Sequence, residues 1–426
     1  MSDFKQLDAV ALEMKQSILQ QRYNEFKAQH LKLDMTRGKP SSEQLDLSLG
    51  LLDCLERKDY KAADGTDCRN YGMANGLPEV KDLFAEYLEV EPSEVIIGGN
   101  ASLTLMHDLM VKAMLFGVPG SEIAWGKLPQ VKFLCPSPGY DRHFAICELL
   151  GIEMITIDYQ DDGPDMDEVE RLVRADDSIK GIWCVPRYSN PTGITYSDSV
   201  VDRLAGMKTQ ASDFRIFWDN AYAVHHLNGK VEPLKNILAA CKAARNPDRV
   251  FLFGSTSKIS FAGSGIAVVA GSITNINWLR QQLSIQTIGS DKLNQLRHIR
   301  FFKNMDGIMA QMNKHAVILK PKFDLAFDIF ESELNGKNIA SYNKPNGGYF
   351  ISLDTLDGCA PKVVAMAAEA GVVLTKAGAT YPYGKDPRER NIRIAPTMPS
   401  LSELKQAMEL VAICIQLVSI EKLLAG

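Results

Sequence analysis

Seven short apolar runs alternate along the chain with longer stretches whose apolar positions recur every three or four residues. The runs occupy 94–97, 132–135, 154–157, 181–185, 214–218, 250–253 and 261–269, the last beginning with a glycine-rich turn. They are apolar on both faces, as strands must be when helices cover both sides of a sheet. Between them, 103–116, 166–175 and 197–210 carry helical spacing. This alternation predicts an α/β fold on a mostly parallel sheet.

The two ends of the chain read differently. Residues 4–31 place Leu7, Val10, Ala11, Met14 and Ile18 at helical spacing, and an irregular stretch, Thr36-Arg37-Gly38-Lys39-Pro40, follows. From 275 to 330 the strand signal gives way to a long helical region that runs past Pro321. Beyond it come a strand at 349–353 between glycine-rich turns, a helix at 361–370, a strand at 372–374 and a helix at 400–417. Ser400 and Glu403 match a capping box, with Ser402 as the alternative cap. The predicted organisation is a large α/β domain over 55–315 and a smaller α+β domain built from 1–54 and 316–426. No internal repeat is evident.

Composition narrows the class. A chain of 426 residues with 46% apolar content exceeds what one core usually supports. A net charge of -5 argues against nucleic acid as a main partner. No apolar stretch approaches membrane-spanning length, and the N-terminus lacks the basic-then-apolar order of a secretion signal, so a cytoplasmic protein is expected. Eight cysteines stand singly without a CxxC pair, and seven histidines form no HExxH. They point to reduced thiols and no metal site, with the pair His225-His226 read as turn surface.

Candidate chemistry gathers just after the strand-like runs, where open α/β sheets bind their ligands. Lys258 closes the turn Gly254-Ser255-Thr256-Ser257-Lys258. An amine held beside several hydroxyls can form a Schiff base while the hydroxyls hold a phosphate, which suggests pyridoxal 5'-phosphate. Asn100, Ala101 and Ser102 open a helix, as an anion seat or an ordinary N-cap. Tyr140 is a ring-stacking residue or a rim aromatic. Asn190 sits in a turn stiffened by proline and glycine. Asp219 is a helix cap or the carboxylate that keeps a pyridine nitrogen protonated, with Tyr222 placed to donate to a phenolic oxygen. Arg393 lies mid-strand and needs a carboxylate partner, either a substrate's or a fixed acidic side chain's.

Taken together, these ordered motifs resemble the fold-type I aminotransferases dependent on pyridoxal phosphate, specifically a divergent aspartate aminotransferase subgroup. The resemblance runs from Arg37-Gly38-Lys39-Pro40 to Arg393. It implies a mixed, mostly parallel seven-stranded sheet in the large domain and a homodimer with shared sites. Tyr71, in Tyr71-Gly72-Met73-Ala74-Asn75-Gly76, resembles the tyrosine that reaches the neighbouring subunit's cofactor phosphate. Asn190-Pro191-Thr192-Gly193 resembles the turn whose asparagine meets the phenolic oxygen. Asp219 and Tyr222 match the pyridine-nitrogen and phenolic-oxygen partners; Ser255, Ser257 and Lys258 match the phosphate hydroxyls and the Schiff-base lysine. Arg393 matches the arginine for the substrate's α-carboxylate, with Gly38, Asn190 and Arg37 completing the implied substrate set. Tyr140 matches the stacking aromatic, and His143 the histidine behind the aspartate.

One departure stands out. The arginine that pairs with the phosphate in most relatives, eight positions beyond the lysine, is Ile266 here. Phosphate charge then falls to amides at 100–102, to hydroxyls, and to Tyr71 or a further cation. No motif marks the reader of a substrate side-chain carboxylate; Arg37, Lys39, Arg142 and Arg297 are candidates. The resemblance implies transfer of the amino group from L-aspartate to 2-oxoglutarate, giving oxaloacetate and L-glutamate, with Lys258 moving the proton. Alanine, aromatic or broad-range transamination is the nearest alternative. A non-turnover regulator on the same fold is the more distant one.

Overall fold

The computed structural model describes residues 3–36 and 38–426. Its strands are β1 (Leu33–Met35), β2 (Val95–Ile97), β3 (Lys132–Ser137), β4 (Glu153–Gln160), β5 (Gly163–Pro164), β6 (Ile179–Cys184), β7 (Arg215–Asp219), β8 (Val250–Ser255), β9 (Ala267–Gly271), β10 (Ala340–Tyr342), β11 (Ile351–Thr355), β12 (Val372–Leu374) and β13 (Asn391–Ile394). The main sheet has the order β2-β9-β8-β7-β6-β3-β4-β5. Its centre, β8-β7-β6-β3-β4, is parallel, while β9 runs antiparallel to both β2 and β8. All seven apolar runs become strands of this sheet. A two-residue strand, β5, adds an eighth at the edge, too short to leave a sequence signal.

Burial explains why those runs lack alternation. Every residue of β6, β7, β8 and β9 is buried, with apolar clusters packed on both faces. Only β4, beside the edge, alternates between exposed and covered positions. Helices Ser102–Phe116, Asp141–Leu149, Met166–Ala175 and Asp198–Gly206 form the connections. The long helical region resolves into three helices, Ile273–Gln286, Lys292–Phe302 and Met305–Glu333, the last with Pro321 inside it.

A third apolar cluster joins both chain ends. β1 pairs in parallel with β12, and β10-β11-β13 form an antiparallel sheet. The C-terminal helix, Leu401–Ala425, extends past the predicted end at 417 and is capped by Ser400, not Ser402. It packs against helices Ala9–Lys27, Met305–Glu333 and Ala360–Glu369, so it is buried almost all round. On Ala9–Lys27 the buried face is Leu12, Leu19 and Tyr23; Val10, Met14 and Ile18, the residues whose spacing predicted the helix, point outward. Periodicity found the helix but not its inner face, because the helix carries apolar residues on both. No described helix is long and apolar enough to cross a membrane.

Candidate active site

Five main-sheet strands and three segments from the chain ends converge on one cavity of about 230 Å³. The sheet contributes residues beyond its strand ends: Ser102, Tyr140, Asp141, Arg142, Asn190, Asp219, Tyr222 and Lys258. The chain ends contribute Gly38, Lys39, Phe350 and Arg393. A Cβ at Gly38 would come within 2.6 Å of the Phe350 ring and would displace it.

Asp219 ends β7 and is 3% exposed. Its Oδ2 lies 3.1 Å from His143 Nε2, whereas Oδ1 is buried without any hydrogen-bond partner. His143 is fixed by stacking on Trp183, with centroids 4.3 Å apart, and by an edge contact to Tyr140 at 4.9 Å. A buried carboxylate oxygen left unpaired costs on the order of 1–3 kcal/mol or more. A protonated ring nitrogen in the cavity would supply what is missing. The residues present therefore fit pyridoxal phosphate.

Lys258 Nζ lies 5.0 Å from the Tyr222 ring centroid and 5.8 Å from that of Tyr349. Burial lowers its pKa, with the Asp219 charge opposing. Burial pushes the Tyr222 phenol well above its ordinary value and the Tyr140 phenol to about 12, so both remain neutral donors. Ser255 Oγ donates to Ser257 Oγ at 3.2 Å, and Ser257 Oγ to the Asn100 carbonyl at 3.2 Å. Ala101 takes the N-cap position of helix Ser102–Phe116 with no side-chain cap, which leaves the helix start open to an anion.

Arg393, 5% exposed in β13, places Nη1 3.1 Å from Asp141 Oδ1 and 3.4 Å from Asn190 Oδ1. Its guanidinium lies 4.9 Å from the Phe350 ring centroid, and its Nε has no partner. The mid-strand arginine thus has a fixed acidic partner and still keeps one buried donor without a partner.

Not every predicted residue arrives. Tyr71 is 82% exposed and lies outside its own chain's cavity. Arg297 is also outside, donating to Asn294 Oδ1 at 2.8 Å. Lys39 and Arg142 do line the cavity; Arg37 lies outside the described residues. Ile266 is buried, its amide donating to Thr256 Oγ1 at 2.9 Å. His225, read as turn surface, is buried against Tyr222 and Tyr349. Asp141 and Phe350 went unrecognised; the glycine pair 347–348, with Gly348 at φ 84°, was the available signal for Phe350.

Residues 7–426 match the family model described as aspartate amino-transferase. A putative aminotransferase of Mycolicibacterium smegmatis is 50% identical over 99% of both chains. An aspartate aminotransferase of Corynebacterium glutamicum is 44% identical over 97% of this chain and 96% of its own. The crystal structure of an aspartate transaminase from Corynebacterium glutamicum superposes with a TM-score of 0.97, at 44% identity over 99% of both chains. The chain belongs to the aspartate aminotransferase family.

Proposed function

We propose that this enzyme transfers the amino group of L-aspartate to 2-oxoglutarate, with pyridoxal phosphate held by Lys258. The observation that carries the cofactor reading is the unpaired Asp219 Oδ1 in the cavity that Lys258 lines. When bound, pyridoxal phosphate supplies an electron sink for the carbanion left as the substrate's Cα loses its proton. Asp219 holds a proton on the ring nitrogen, and His143 fixes that carboxylate. Tyr222 and Asn190 would hold the phenolic oxygen, Tyr140 would cover the ring, and Asn100, Ala101, Ser102, Ser255 and Ser257 would seat the phosphate. Arg393 binds the substrate's α-carboxylate, with Gly38 giving access. Lys258 Nζ takes the proton from the substrate's Cα, and burial, which lowers its pKa, favours the neutral amine that this needs.

Two further readings accompany this one. The protein is a cytoplasmic homodimer in which Tyr71 serves the neighbouring subunit's site. Exposed Tyr71, Ile285 and Ile288 support that. The domain division is 55–315 against 1–54 with 316–426, supported by the β1–β12 pairing that ties both chain ends together. The substrate reading is tested by half-reactions of the cofactor-loaded enzyme with a panel of amino acids. L-aspartate should convert the visible absorbance band fastest; faster conversion by L-alanine or an aromatic amino acid overturns it. A mixture of Tyr71 and Lys258 variants should regain activity if sites are shared, and none if they are not.

A further inference from the structure

The turn that carries Lys258 is held from both sides by buried histidines with no part in the chemistry above. From helix Lys292–Phe302, His298 Nδ1 lies 2.8 Å from the Asn294 carbonyl, so that nitrogen bears the proton. Nε2 is left as an acceptor, 2.9 Å from Ser260 Oγ and 3.4 Å from Thr256 Oγ1. From helix Met305–Glu333, His315 Nε2 donates to the Ile259 carbonyl at 3.1 Å. Its Nδ1 accepts from Gln44 Nε2 at 3.0 Å, and the same amide donates to Tyr349 Oη at 2.9 Å. The Ser41 amide, 3.1 Å from Gln44 Oε1, fixes which way that side chain faces.

The held groups flank Lys258: Thr256 before it, Ile259 and Ser260 after it. Lys258 Nζ itself makes no hydrogen bond or ion pair among the described residues. Its place is therefore set by its own backbone and by the rings of Tyr222 and Tyr349, the second of which Gln44 tethers. Burial holds both histidines at a pKa of about 4, so each stays a neutral linker with one donor and one acceptor.

We propose that His298 and His315 are positioning residues that fix the turn from which the Lys258 amine must reach the cofactor and then the substrate's Cα. This rests on the assignment of Lys258, which Lys258→Ala tests separately by turnover. The experiment uses the full chain carrying His315→Leu, His315→Gln or His298→Leu. It measures kcat and KM with pyridoxal phosphate. Without the cofactor, it measures the pH dependence of Lys258 acylation by peptide mass spectrometry. Displacing a catalytic group by about 1 Å can cost about 100-fold. On that scale the leucine variants should lower kcat roughly 10- to 100-fold, with KM within about threefold, and should shift the Lys258 acylation profile. His315→Gln, which retains a donor and an acceptor, should restore most of kcat. Folded leucine variants with unchanged kcat and an unchanged acylation profile overturn the proposal, whatever their melting temperature. Should a leucine variant fail to fold, Gln44→Met cuts the link to His315 and Tyr349 while sparing both rings. The same two readouts then decide.

Discussion

Asp219 and Arg393 are both buried charges in one cavity, yet they stand differently. Asp219, on the sheet floor, keeps one oxygen without a partner. Arg393, on the wall built from the chain ends, already meets Asp141 at 3.1 Å. The floor is preorganised for a group that stays, since an unpaired buried acceptor is stabilised only when its partner is bound. Arg393 also keeps Nε without a partner, but its charge already meets a fixed carboxylate, as suits the exchangeable ligand proposed for it. On the proposed function, the central strands hold the cofactor that stays and the segments from both termini meet the substrate that exchanges.

The largest expected effect breaks the floor. Lys258→Ala should lower kcat by up to about 10⁴-fold in a steady-state assay, since a positioned acid–base group contributes up to about that factor. Asp219→Asn keeps the shape and removes the charge. It should lower kcat roughly 10²- to 10³-fold, as for loss of one electrostatic stabiliser, with a smaller change in KM. A change confined to KM would place Asp219 on the recognition side of the comparison.

The floor's support has its own signature in pH. Burial, the largest cause, depresses His298 and His315 from 6.5 to about 4. The unfolded chain takes up protons below pH 6.5 while the folded one does not. Their contribution to stability is therefore fully present above pH 6.5 and is lost as pH falls toward 4. Full loss amounts to about 3 kcal/mol per histidine, and urea melts across that window should show it, less steeply in His315→Gln.

The wall should respond in binding. Arg393→Lys forfeits a forked donor and should raise KM for both substrates about 10- to 100-fold, with kcat less affected. The smallest effect sharpens the contrast. Asp141→Asn removes the carboxylate that occupies Arg393, and KM should fall about two- to threefold, in keeping with an ion pair that is partly exposed on its Asp141 side. A rise in KM would show that Asp141 orients the arginine for substrate.

Much of the floor was legible because strand ends in an open sheet are fixed by local pattern. The apolar runs end where Asp219, Ser255 and the 185–190 turn begin, so the residues after them had to share one edge. The wall was harder to read. Asp141 lies next to Tyr140 in the chain, but only the approach of β13 makes it the partner of Arg393. Phe350 reaches the cavity through a glycine pair whose turn geometry has no counterpart in apolar periodicity. The lysine clamp was invisible, since Gln44, His298 and His315 come from distant segments and each looks like an ordinary polar residue on a helix.

What the chain determined by itself was the sheet, its helical covering and the order of chemical groups along one edge, because alternation and burial are local properties. What only the tertiary structure decided was which charges are paired before a ligand arrives, which face of helix Ala9–Lys27 is buried, and which side chains hold Lys258 in place. Those depend on distances of about 3 Å between residues more than a hundred positions apart in several pairs, and packing alone sets them.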